Sequence, residues 1–117
     1  MEIDEWEYFE ERLAQRVLAG TCLLPDAISY VCRRHLDHSA DTLLLAAISF
    51  VTQLDHNPIF EEKNALEMSV YRYRVIAVFA ADVALLSADA RTCGDLEDFW
   101  EKTSSGVFSG KQNRSHS

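Results

Sequence analysis

From Ile3 to about Ala19, the apolar residues Ile3, Trp6, Phe9, Leu13, Val17 and Leu18 return at intervals of three and four, the period of one face of an amphipathic helix. Gly20-Thr21-Cys22 ends that helix. Pro25 opens a second one, since its missing N–H is not needed in a first turn. Its inner stripe is predicted to be Ile28, Val31, Cys32, His35 and Leu36. Ser39 reads as the N-cap of a third helix with Asp41 in its first turn. That helix, running to about Asp55, is apolar around most of its circumference and is predicted to be central.

Asn57-Pro58 marks the start of a fourth helix, and no stop signal precedes Ser87. A helix over 58–88 would be about 45 Å long, whereas a chain of this length forms a body roughly 35 Å across. It must therefore kink, project, or pack against a second copy. Its second half, Val75 to Leu86, is apolar on nearly every side and interrupted only by Asp82, so it is expected to be buried all round. The line Ala77, Ala81, Ala84 and Ala88 allows another helix to approach closely, and packing within the chain is the expected use. Thr92-Cys93-Gly94-Asp95 punctuates the chain before a short fifth helix with Leu96, Phe99 and Trp100 on one side. No segment alternates with period two. The fold class is all-α, a single-domain antiparallel bundle of four main helices plus a short fifth over residues 1–102. The Ser- and Gly-rich stretch 103–117 is expected to be a flexible tail.

Charge narrows the functional classes. The 117 residues hold 19 acidic and 11 basic side chains, a net charge of −8, which argues against direct binding of nucleic acid through its phosphates. The Val75–Leu86 run is too short and too acidic at its middle to span a membrane. Three cysteines at irregular spacing, with no apolar leader, point to reduced thiols and a cytoplasmic location. Acid is concentrated at the start: Glu2, Asp4, Glu5, Glu7, Glu10 and Glu11 precede any basic residue. Such carboxylates suit the positive end of a helix dipole, and they also make an acidic docking surface.

Candidate chemistry is sparse. Cys32, His35 and His38 share a spacing that could reach one metal ion, with Cys93 as a conceivable fourth ligand; His56, at the far end of helix 3, does not belong to that group. Core, edge or helix-end roles for these side chains are the plainer alternative. Asp82 lies on the apolar face of helix 4, where a carboxylate needs a partner such as Arg33, Arg34 or Arg91, or else is a functional group with a perturbed pKa. The basic and aromatic residues of Tyr71-Arg72-Tyr73-Arg74 spread around the helix, and Arg72 and Arg74 are expected to pair with the chain's own acids. No Glu-x-x-His pair, glycine-rich phosphate loop or nucleophile with a spaced base is present.

The expected function is therefore non-enzymatic and without a cofactor: binding another protein as an adaptor, regulator or inhibitor. The predicted contact residues are Asp4, Glu5, Glu7, Glu10 and Glu11 on helix 1 and Glu61, Glu62 and Tyr73 on the first half of helix 4. In the strongest form the acidic surface mimics phosphates and occupies a basic nucleic-acid-binding protein. The alternatives are a metal or redox protein using Cys32, His35 and His38, and a ligand-binding or catalytic bundle around Asp82. Homodimerisation through helix 58–88 is a further expectation from its length.

Overall fold

A computed structural model describes residues 3–19, 23–56, 65–89 and 91–103. Among the described residues the architecture is all-α, with five helices: α1 (Ile3–Leu18), α2 (Leu24–Arg33), α3 (Ala40–Asp55), α4 (Ala65–Ala84) and α5 (Cys93–Thr103). Among the described residues, no helix is long and apolar enough to cross a membrane.

The helix starts follow the sequence signals. Pro25 sits in the first turn of α2. Ser39 caps α3, its hydroxyl accepting from the Thr42 N–H at 3.3 Å. α3 packs against all four other helices and buries Leu43, Ala46, Ala47, Phe50 and Val51. Side-chain pairs give the directions. Glu5 meets His38 and Glu10 meets Gln53, so α1 and α3 run parallel. Tyr8 meets His35 and Arg16 meets Tyr30, so α1 and α2 are antiparallel. Asp55 at the end of α3 meets Ser69 and Arg72 early in α4, so these two are antiparallel as well.

Three expectations change. α2 ends at Arg33, so His35 and Leu36 lie in the loop beyond it, and Leu36 is exposed instead of lining the core. That loop is occupied by α5: the N–H groups of Ala40, Cys93 and Gly94 bond to the carbonyls of Arg91, His38 and Leu36 at 2.8, 2.7 and 2.9 Å. A Cβ on Gly94 would sit 3.2 Å from the Leu36 carbonyl oxygen, so any other residue would push the two segments apart by a few tenths of an ångström.

The second change is α4. It stops at Ala84, the chain turning through Leu85 and Leu86, and its 20 residues span about 30 Å, which the 40 Å body accommodates. The predicted start at Pro58 lies outside the described residues. The third concerns Val75–Leu86, which is not buried all round. Val75, Ile76, Phe79, Asp82 and Val83 face the core, while Ala77, Ala81, Ala84 and Leu85 are exposed. Ala77, Ala81 and Ala84 thus leave their face open among the described residues.

The Thr92–Asp95 segment is a helix start as well as a break. The Thr92 hydroxyl accepts from the Asp95 N–H at 3.2 Å, and the Asp95 carboxylate accepts from the Thr92 N–H at 3.0 Å. This reciprocal pair satisfies two backbone donors that α5 would otherwise leave open.

Candidate partner-binding groove

The acidic residues of α1 divide into two groups. Phe9 and Leu13 carry the buried stripe of α1, Glu5 and Glu10 flank it half-buried on its two sides, and Glu7 and Glu11 point to solvent. Glu5 accepts from Nδ1 of His38. Glu10 accepts from the Ser49 hydroxyl at 2.9 Å and from the Gln53 amide at 2.6 Å. These two carboxylates tie α1 to α3 and are already engaged. The parallel helices leave a groove of about 270 Å³ between them, with Glu7, Glu10 and Glu11 on its acidic side and Ala14, Leu18, Phe50 and Leu54 supplying apolar surface. Of the other predicted contact residues, the side chain of Asp4 and both Glu61 and Glu62 lie outside the described residues. Tyr73 is on α4, far along the chain from this groove in sequence and not among its lining residues. Its phenol bonds to Asp55 and Thr52, and the bond to Asp55 raises it above the usual tyrosine range.

The proposed metal ligands come close together, and His35 and Cys32 commit their donor atoms elsewhere. The His35 and His38 rings meet edge to face, their centres 5.3 Å apart, and Phe9 packs against both. His35 Nδ1 lies 2.8 Å from the Val31 carbonyl, so that nitrogen carries the proton, and in neutral His35 Nε2 accepts from the Tyr8 hydroxyl at 3.0 Å. His38 donates through Nδ1 to Glu5. Cys32 donates its thiol to the Cys93 carbonyl at 3.2 Å. Hydrogen bonding to Cys93, together with burial, pushes the Cys32 thiol far above the usual cysteine range and away from the thiolate a metal needs. Cys93 does lie beside Cys32, as the metal reading required, but both are buried free thiols. Among the described residues, no group of three or more His, Cys, Asp or Glu is arranged to hold a metal ion. His56 bonds to the Thr52 carbonyl at 2.8 Å and closes α3, the helix-end role expected of it.

Asp82 is buried, as its place on the α4 wheel implied. The donor seen on it is not the expected arginine: Trp100 of α5 donates its indole N–H to Asp82 at 2.8 Å. Arg91 instead makes a two-pronged pair with Asp41, both contacts at 2.9 Å, and Arg33 reaches Glu97 at 3.9 Å. Arg34 lies over the Tyr30 ring. Neither the α1/α3 groove nor the shallow one at Tyr30, Arg33 and Arg34 is lined by Asp82. Arg72 pairs with Asp55, in line with the expectation that it meets the chain's own acid.

One cluster escaped the sequence reading. Arg16 of α1 and Arg34 both stack on Tyr30, at 3.6 and 4.5 Å from its ring centre, and Arg12 covers Tyr8 at 4.9 Å. The four-residue step from Tyr30 to Arg34 was a visible signal for half of this stack; the contribution of Arg16 depends on how α1 crosses α2. The molecule thus carries a cationic aromatic patch despite its net charge. Compared with known protein families, curated proteins and solved structures, the chain matches none.

Proposed function

We propose that the protein is a non-enzymatic binding module whose α1/α3 groove takes a basic amphipathic segment of another protein. The observation that carries this reading is the pairing of free carboxylates with apolar surface in one groove: Glu7 and Glu11 beside Leu18, Phe50 and Leu54. Such a groove favours a helix or extended segment with Lys or Arg along one edge and apolar anchors along the other. An adaptor or regulator would use it in this way, with neither catalysis nor a cofactor. Phosphate mimicry has thinner support, because Glu5 and Glu10 spend their charge on α3 and the adjoining loop. A cytoplasmic setting accords with Cys32 and Cys93 as adjacent free thiols.

The test is affinity capture from a nuclease-treated lysate of the natural source. Tagged wild type is compared with the double reversal Glu7→Lys, Glu11→Lys and with Glu101→Lys, an exposed acid on α5. The proposal expects a partner bound equally by wild type and Glu101→Lys, and on the order of tenfold less by the double reversal. Equal recovery by all three would reject the groove as the binding site.

A further inference from the structure

A second surface lies across α4 and α3. Leu66, Val70, Tyr73, Ala77, Ala81 and Ala84 recur at intervals of four and three on α4, fall on one face, and are all exposed, Leu66 at 77% and Val70 at 44%. Tyr73 bonds across to Thr52 and Asp55, so the outer edge of α3 adjoins this face on the same side. That edge presents Leu45, exposed at 53%, and Ile48 at 38%. A helix face lined by leucine, isoleucine, valine and tyrosine and left open to water is costly for a chain this small.

We infer that this face is the interface of a homodimer, in which two α4 helices cross antiparallel about a two-fold axis at Ala77. Three features select a second copy. First, the face is self-complementary in size. Its bulky residues lie in the N-terminal half of α4 and its alanines in the C-terminal half, so an antiparallel two-fold sets Tyr73 against the partner's Ala81 and Val70 against the partner's Ala84. Second, the middle of the face is free of the acidic charge that otherwise dominates the molecule, with exposed Arg74 at its edge. Of the 19 acidic residues, none falls between Asp41 and Asp55 on α3, and between Glu67 and the end of α4 there is only Asp82, which is buried. The carboxylates at its border, Asp41 and Asp55, are already paired, with Arg91 and with Arg72, so two chains of net charge −8 can meet over the apolar middle. Third, five large apolar side chains, Leu45, Ile48, Leu66, Val70 and Tyr73, stand open together, the material of the apolar centre that a stable interface of roughly 800 Å² per partner needs. The inference is independent of the α1/α3 groove, which is on the other side of α3.

Sedimentation equilibrium of the full chain between 1 and 100 µM tests it, with two variants. The wild type is expected to sediment at twice its 13.3 kDa mass. Ala81→Arg, at an exposed position with unchanged circular dichroism, is expected to weaken self-association at least a hundredfold and sediment as a monomer. Ala77→Cys is expected to give a disulfide-linked dimer under mild oxidation, above any formed by the unsubstituted chain, because only residues at the axis meet their own copies. A wild-type monomer at 100 µM would overturn the inference and leave the face to a different partner. A dimer that survives Ala81→Arg would overturn it by moving the interface elsewhere, and a dimer that Ala77→Cys fails to link would overturn the antiparallel register.

Discussion

Trp100 is 2% exposed and is the largest side chain in the fully enclosed part of the core, yet its indole N–H does not go unused. It donates to Asp82, a carboxylate held by α4 among Phe79 and Val83, so one hydrogen bond serves two polar groups that would each be expensive to bury alone. The bond also locks α5 to α4 where the Phe79 and Trp100 rings meet, 6.2 Å apart at their centres. A double-mutant cycle of Asp82→Ala and Trp100→Phe, followed by urea unfolding, should return a coupling of about 1 to 2 kcal/mol. A coupling near zero would mean that the other contacts of Asp82 hold it. The burial of Asp82 was readable from the helical wheel, because position 82 repeats the period of Val75 and Phe79. Its donor was not, because Trp100 is 18 residues away on a different helix, and sequence period carries no information about which helix crosses which.

Each helix draws its limits from short-range chemistry, which is why the elements were largely legible. Ser39, Pro25 and the alternation of apolar positions act within one turn and mark their own places. Thr92 is a case in which the local signal was present and misread as a simple break: Thr-x-x-Asp is the pattern of a reciprocal cap, and α5 begins on it. Thr92→Ala should cost about 1 kcal/mol in urea unfolding, and Thr92→Ser should recover most of that loss, since the capping oxygen returns. Equal losses for both would point to the methyl group and its packing instead. The errors share a different cause. Leu36 keeps the period of the α2 inner stripe, but the chain leaves the helix at Arg33 to pair its backbone with α5. The alanine face of α4 was read as buried for the same reason: composition gives the apolarity of a face and not the number of helices available to cover it. In the groove, Glu7 and Glu11 remain where the acidic run suggested, whereas Glu5 and Glu10 are drawn in by His38, Ser49 and Gln53, which α3 and the loop before it supply from far along the chain.

Across the whole molecule, opposing carboxylates shape the dependence of stability on pH. The Arg91 guanidinium holds Asp41 below the usual carboxylate range. Against the burial that pushes it up, Asp55 is held low by Tyr73, Ser69 and Arg72. The backbone N–H and hydroxyl of Thr92 do the same for Asp95. Groups with depressed folded values stabilise fully above the ordinary aspartate value of 3.8, and that contribution is lost as pH falls through their lower folded values. Glu97 acts in the opposite direction. Burial, with the nearby charges of Glu101 and Asp98, pushes it above its ordinary 4.5 despite Arg33, so the folded chain holds its proton more tightly than the unfolded one. Between that raised value and 4.5, stability therefore grows as pH falls. Lowering the pH from 7 should first raise the urea midpoint and then, below about 4, reduce it, giving a maximum on the acid side of neutrality. Glu97→Gln isolates the first limb: its midpoint should exceed that of the wild type at pH 7, lose that advantage by about pH 4.5, and keep the fall at lower pH. Should the variant and the wild type trace parallel curves from pH 7 to 4.5, the burial of Glu97 would not be what shapes that limb, and relief of the repulsion within a chain of net charge −8 would account for it.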